Sequence, residues 1–279
     1  MAPPVASRPT QAAGRSAAFF DLDKTIIAKS STLAFGRPFY QGGLLNRRSV
    51  LRSVYAQFIF AISGADEDQM DRMREYLTAM CAGWDVAQVR EIVAETLHDI
   101  VAPLVYDEAV DLIDAHRSAG RAVVIVSSSG EEVVAPIGAM VGASVAIATR
   151  MVERDGKYTG EIARYVFGQS KADAVRELAE RRGYDLGACY AYSDSVTDLP
   201  MLEEVGHPAV VNPDRALRKV AVERGWPVLS FSNAVPLRER LSGLRPSNTA
   251  ATAGFFGAGV AVGLIWLALR RRPRRPCRR

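Results

Sequence analysis

Histidine and cysteine are scarce, with three of each in 279 residues, and the scarcity excludes several chemistries. His98, His116 and His207 are too few and too scattered for a histidine-based metal site. Cys81, Cys189 and Cys277 make no CxxC or Cys/His metal spacing, so they read as unpaired thiols of a reducing compartment. Residues 1–15 lack an apolar run and are expected to be a flexible lead-in, not a signal peptide. Acids are missing from the last ten residues, where Arg270 to Arg279 holds seven arginines. The formal charge of +4 is therefore a local feature of that tail. Without it the chain is close to neutral or slightly acidic, which argues against a nucleic-acid partner. Apolar residues at 48% and charged residues at 24% are ordinary for a folded domain, and the length suits one core with a smaller satellite.

What is present alternates. Ala17 to Phe20 is a short apolar run ending in Asp21, as a buried parallel strand delivers a polar residue to its carboxyl edge. Between 33 and 99 the pattern turns helical, with segments expected at 44–62, 66–81 and 85–98, and it reads as a helical cap. After Pro103 helices and strands alternate again. Helices are expected at 107–119, 131–141, 170–182 and 214–224, and strands at 122–126, 188–192, 209–211 and 228–231. The segments 145–152 and 158–162 flank Asp155-Gly156, a strong hairpin signal. The fold class is therefore α/β, a Rossmann-like three-layer core with a mostly parallel sheet and a cap inserted after the first strand. Residues 16–32 and 100–235 form the core, 33–99 the cap and 236–248 a linker. Ligands of such sheets bind outside the carboxyl ends of the strands, and Asp21, Ser127 and Asp194 all fall there.

Asp21 and Asp23, two residues apart past a buried strand, would repel each other when held alone. A divalent cation removes that conflict, and Mg²⁺ prefers a few carboxylates with phosphate and water oxygens. One aspartate can then attack phosphorus while the other carries a proton to the leaving oxygen. Ser127 to Gly130 offers a hydroxyl and successive main-chain N–H groups before a helix, a natural phosphate cradle. Ser193-Asp194-Ser195-Val196-Thr197-Asp198 puts two more acids past a strand. Each piece alone also has a plainer reading: a loop of solvated acids, a serine-rich turn, a helix cap and, for Lys171, a surface lysine.

In combination the order DLDKT at 21–25, VSSS at 126–129, Lys171 and SDSVTDLP at 193–200 resembles the four motifs of the haloacid dehalogenase-like (HAD) superfamily. Within it the chain is similar to subfamily IB, typified by phosphoserine phosphatases, over roughly residues 17–232. The resemblance implies that Asp21 is the nucleophile and a Mg²⁺ ligand. Asp23 would be the acid/base, with its main-chain carbonyl on the metal, and Asp194 would complete the ligands. Ser127 and the N–H of Ser128 would hold phosphate, Lys171 would offset developing charge, and Thr25 and Asp198 would support them. The reaction implied is phosphomonoester hydrolysis. Phosphoryl transfer to an alcohol and a non-catalytic scaffold on the same fold are the alternatives. Asp23 argues against a true dehalogenase, and Ile26-Ile27 after Thr25 breaks the ion-pump signature.

The chain departs from phosphoserine phosphatases in three places. Ala28 to Thr32 holds no acid to read an ammonium and carries cationic Lys29 instead. Ser193 replaces a usual Gly, and Thr197 replaces Asn. At the carboxyl end, Thr249 to Leu269 is free of charge for 21 residues, followed by the arginine tail at 270–279. That pattern predicts a transmembrane helix at 249–269, placing the enzyme on the cytoplasmic face of a membrane. The substrate is then either a lipid phosphomonoester or a soluble metabolite.

Overall fold

The computed structural model describes residues 15–45 and 78–232, all within one compact unit. Its strands are β1 (Ala17–Phe20), β2 (Ala122–Gly130), β3 (Val145–Arg154), β4 (Lys157–Arg164), β5 (Tyr190–Ser193), β6 (His207–Val211) and β7 (Val228–Leu229). They form one sheet in the order β4-β3-β2-β1-β5-β6-β7. Every pairing is parallel except β3–β4. That hairpin closes through Asp155 and Gly156, at φ +53° and +75°, the left-handed pair a two-residue turn requires. β1 lies between β2 and β5, so chain order reverses on either side of it and its carboxyl end faces the crevice where such sheets bind ligands.

The helices are α1 (Ser31–Ala34), α2 (Gly36–Gln41), α3 (Val86–Val101), α4 (Asp107–Ser118), α5 (Glu131–Met140), α6 (Gln169–Arg182), α7 (Leu199–Glu203) and α8 (Arg215–Arg224). β1 is buried along its whole length because both faces are covered. Phe19 packs with Val124, Val126 and Ala191 against Val175 and Leu178 of α6, Met201 and Leu202 of α7, and Leu217 of α8. Phe20 faces the other layer, stacked on Tyr192 at 4.6 Å and edge-on to His116 of α4. Burying side chains of this size stabilises by about 1.5–3 kcal/mol each, enough to fix which face each β1 residue takes.

Two expectations need correction. β2 does not stop at Val126 but continues through the serine run to Gly130, with a register shift after Ser127. Ser127 and Ser129 keep the inward positions of the strand alternation and find hydroxyl partners there, so polar residues do not end the strand. The second correction concerns the membrane. Among the described residues no helix is long and apolar enough to cross a bilayer. The longest helix delimited, α3, has 16 residues, about 24 Å against about 30 Å of hydrocarbon, and carries Arg90, Glu91, Glu95 and Asp99. The anchor expected at 249–269 lies outside the described residues, and the location on a membrane's cytoplasmic face is withdrawn with it. Of the expected cap, α1, α2 and α3 are described. The segments expected at 44–62 and 66–81 fall mostly in 46–77, outside the described residues. α3 begins as expected, with Asp85 accepting from the Gln88 N–H at 2.9 Å.

His116 gives this layer an acid-sensitive joint. Its ring is 3% exposed; Nε2 lies 2.8 Å from the Tyr192 hydroxyl and Nδ1 lies 3.4 Å from Arg121 Nη1. Arginine can only donate, so Nδ1 accepts and Nε2 carries the hydrogen toward Tyr192. Burial, with Arg121 adding, lowers the imidazole from its ordinary 6.5 to about 4. The folded state thus refuses a proton that the unfolded state takes. The contribution of this histidine is complete well above pH 6.5 and is lost as pH drops toward about 4, by up to about 1.4 kcal/mol per unit. Melting temperature measured across that window should fall less steeply in His116→Gln than in the parent; parallel curves would refute the assignment.

Candidate active site

The site lies beyond the carboxyl end of β1, between β2 and β5. Asp21 follows the buried run Ala17–Phe20 and donates its main-chain N–H to the Tyr192 carbonyl of β5 at 2.9 Å. Phe20 pairs with Ile125 on one side and Tyr192 on the other, so Asp21 emerges beside β2 just before its serine run and beside the end of β5. The loop then folds back tightly: the N–H groups of Ile26 and Ile27 both donate to the Leu22 carbonyl. Lys24, at φ +62°, takes the left-handed conformation needed to make that turn.

Lys171 reaches this point from the first turn of α6. Gly168 precedes the helix at φ +53° and ψ −123°, a conformation that side-chain-bearing residues rarely adopt, and it turns the chain into α6. The ammonium, 2% exposed, donates to Asp21 Oδ1 at 2.6 Å and to Asp198 Oδ2 at 2.7 Å. Ser193 Oγ donates to the same Asp198 oxygen at 2.7 Å. Burial works against the Lys171 charge, but Asp198 and Asp21 outweigh it and hold the ammonium above its ordinary value.

The acids outnumber this cation. Burial lifts the Asp21 carboxyl to about 8; Lys171 opposes the shift, and Asp198, Asp23 and Asp194 add to it. Burial likewise lifts Asp194, at the end of β5, to about 7, with Lys24 opposing and Asp198 adding. Asp214 braces the Asp194 loop. Its N–H donates to the Asp194 carbonyl at 2.8 Å, and its carboxylate accepts from the N–H groups of Val196 and Leu217. Two buried carboxylates with hard oxygen donors and too little positive charge around them suit a small divalent cation. Among the described residues no group of three His, Cys, Asp or Glu side chains forms a metal cluster. The fit rests on Asp21 and Asp194 alone among side chains.

Asp23 is held apart from the lysine. Its Oδ1 accepts from the Ser31 N–H at 2.7 Å and its Oδ2 from Ser129 Oγ at 3.0 Å. Ser127 Oγ accepts from the Ser129 N–H at 3.2 Å, while Ser128, on the alternate face of the strand, is half-buried. Thr25 is fully buried, and its hydroxyl has no hydrogen-bond partner among the described residues. The structure therefore brings Asp21 and Asp198 together on Lys171, with Asp23 and Asp194 near enough to raise the Asp21 carboxyl; Ser127 connects to Asp23 through Ser129, and Thr25 is buried in the loop after Asp23. Sequence reasoning passed over Ser31, Ser129, Ser193 and Asp214 as site residues. Period-two spacing with Ser127 was the one available signal, and it marks Ser129.

Comparison with known proteins places the chain in a family. Residues 18–203 match the family model of haloacid dehalogenase-like hydrolases. A probable phosphatase of Mycobacterium tuberculosis is 64% identical over 270 residues, covering 97% of this chain and 94% of that one. A phosphoserine phosphatase of the same species is 36% identical over 218 residues, covering 77% of this chain and 71% of its own length. Among solved structures, a substrate-bound phosphoserine phosphatase shares the fold, with a TM-score of 0.57 at 18% identity over 83% of this chain and 99% of that one. The chain belongs to the haloacid dehalogenase-like hydrolases. Within them it is an enzyme of the phosphatase type.

Proposed function

We propose that this enzyme hydrolyses phosphomonoesters through a phosphoaspartyl intermediate on Asp21, with Mg²⁺ held by Asp21, Asp194 and the main-chain carbonyl of Asp23. The observation that carries the reading is the buried Asp21–Lys171–Asp198 contact at the carboxyl end of the central strand. An Asp21 oxygen attacks phosphorus as the bond to the ester oxygen breaks, and Asp23 gives that oxygen a proton. Water then attacks the same phosphorus, returning a proton to Asp23 and releasing Asp21 as carboxylate. Lys171 stabilises charge on the phosphoryl oxygens, held on line by Asp198. Ser127 and the Ser128 N–H bind the phosphate, with Thr25 bracing the first loop. Bound Mg²⁺ supplies the charge neutralisation that lets the anionic carboxylate approach an anionic ester.

The substrate class is a small phosphomonoester. Phosphoserine enters as the substrate named for one relative, although Ala28 to Thr32 offers no acid for its ammonium. A lipid phosphate was motivated by the membrane anchor and falls with it. The test is phosphate release by the full chain from a panel of phosphomonoesters including phosphoserine, in Mg²⁺ or in EDTA. Release is expected to drop at least about 100-fold in EDTA, as the loss of several kcal/mol of charge stabilisation requires. Acid-quenched enzyme should carry labelled phosphate as a hydroxylamine-sensitive acyl phosphate. Undiminished release in EDTA, or turnover with no acyl phosphate, would overturn the reading.

A further inference from the structure

Asp23 sits in a hydrogen-bond arrangement that the reaction described above does not require. Its two oxygens face different kinds of donor. Oδ1 accepts from the main-chain N–H of Ser31, which can donate and can never accept. Oδ2 accepts from the hydroxyl of Ser129, which can do either. Ser129 Oγ in turn receives a hydrogen bond from Ser31 Oγ at 2.9 Å. Both serines are buried, Ser31 at 0% and Ser129 at 7% exposure, so neither hydroxyl can fall back on bulk water.

An acid/base group passes through two protonation states in each turnover, and its buried partners must tolerate both. A partner able only to donate would be left facing a proton when the carboxyl is neutral, an unpaired buried contact that works against the protonated state. A hydroxyl reverses its role by rotating. We propose that Ser129 and Ser31 are positioning residues that assign the transferable proton of Asp23 to Oδ2 and keep that carboxyl hydrogen-bonded in both of its states. The inference rests on the reading of Asp23 as the acid/base. When Asp23 is neutral, Oδ2 carries the proton and donates it to Ser129 Oγ, and the Ser129 hydrogen turns to Ser31 Oγ, 2.9 Å away. When the ester oxygen departs, the Oδ2–H bond breaks and the proton forms a new O–H bond on the leaving group. Ser129 then rotates to donate to the bare Oδ2, and Ser31 Oγ donates to Ser129. The hydrolytic half runs the same rotation backwards, as the proton lost by water returns to Oδ2. Throughout, the Ser31 N–H holds Oδ1 as the oxygen that stays unprotonated, which orients the carboxyl plane.

Leaving-group dependence separates this role from simple packing. An alkyl phosphomonoester, β-glycerol phosphate, needs its leaving oxygen protonated, whereas p-nitrophenyl phosphate does not. In the Mg²⁺-loaded full chain, Ser129→Ala should lower kcat/KM for the alkyl ester by ~10–100-fold. The loss on p-nitrophenyl phosphate should be at least ~10-fold smaller. Ser129→Thr, which keeps the hydroxyl, should recover most of the alkyl activity. Ser31→Ala, which keeps the main-chain donor, should show the same split with a smaller size. Equal losses on the two esters in Ser129→Ala, or no rescue by Thr, would reduce Ser129 to a wall of the phosphate cradle and overturn the proposal. Asp23→Asn is the internal reference: if it fails to discriminate the two esters, Asp23 is not the acid, and both readings fall together. If Asp23→Asn discriminates and Ser129→Ala does not, only the serine assignment falls.

Discussion

Asp21→Asn should leave an enzyme that turns over at least ~10⁴ times more slowly yet melts at a higher temperature than the parent in EDTA. The activity loss follows from the role proposed for Asp21 as nucleophile, since an amide does not form the acyl phosphate. The gain in stability follows from the charges. Asp21 is buried beside Asp198, Asp23 and Asp194, with Lys171 as the buried cation among them, and its carboxyl is lifted to about 8. A group pushed that far from its ordinary range is one the fold holds at a loss. Asparagine keeps an oxygen that can accept from Lys171 and has no ionisation for burial to oppose, so the cost of holding a titrating carboxyl at this position disappears. The remaining Lys171–Asp198 contact at 2.7 Å is then a balanced pair. A gain of ~1–2 kcal/mol corresponds to roughly 2–8 °C in melting temperature for a domain of this size. Paired measurements of turnover and melting decide it. Retained turnover would remove Asp21 as nucleophile, and a lower melting temperature would refute the electrostatic account. Loss of activity through misfolding would show as a fall in melting temperature and is therefore distinguishable.

How much of this was legible in the residues depends on the range over which each feature acts. The central strand was readable because Ala17 to Phe20 is apolar without a break, a local consequence of burial on both faces. The hairpin was readable because Asp155-Gly156 satisfies a backbone requirement within two residues. Lys171 was not readable by itself. It sits in a charged helix beside Asp173, Arg176 and Glu177, all of them exposed, and only its place in the order of four motifs separates it from them. Its burial depends on Asp21, 150 residues earlier in the chain, and on Asp198.

The contact between Asp23, Ser31 and Ser129 escaped for the same reason. Ser129 meets Asp23 across 106 positions and Ser31 across 98, and no local pattern encodes such a meeting. The end of β2 was misjudged because serine ordinarily favours turns, while here hydroxyl partners inside the site let the strand run on to Gly130. The membrane reading rested on the uncharged run at 249–269 and its arginine flank, all outside the described residues, and among the residues described no helix is long and apolar enough to cross a bilayer.

Lys171→Met tests the opposite side of the same electrostatic balance, and its effect on stability should be the larger. The ammonium lies within 2.7 Å of both Asp21 Oδ1 and Asp198 Oδ2, and all three side chains are buried. Methionine fills a similar volume but leaves two carboxylates facing each other across the space Nζ occupied. Breaking a buried ion pair by removing one partner costs about 3–5 kcal/mol, far more than an exposed lysine contributes. The melting temperature should fall by roughly 10 °C in EDTA. Phosphate release should fall with it, because no other buried cation stands beside Asp21 among the described residues. Two companion variants make the cause visible. Adding Asp198→Asn, or Asp21→Asn, to Lys171→Met removes one of the opposed charges and should recover part of the lost stability. The second change should then be more favourable in the Lys171→Met background than in the parent, a coupling that independent sites would not show. Additive effects, or a Lys171→Met enzyme that melts like the parent, would mean that Lys171 acts through its aliphatic stem alone. Coupling of the expected sign, with turnover still absent in the stabilised Lys171→Met/Asp198→Asn variant, which keeps Asp21, would separate the lysine's structural duty from its part in catalysis.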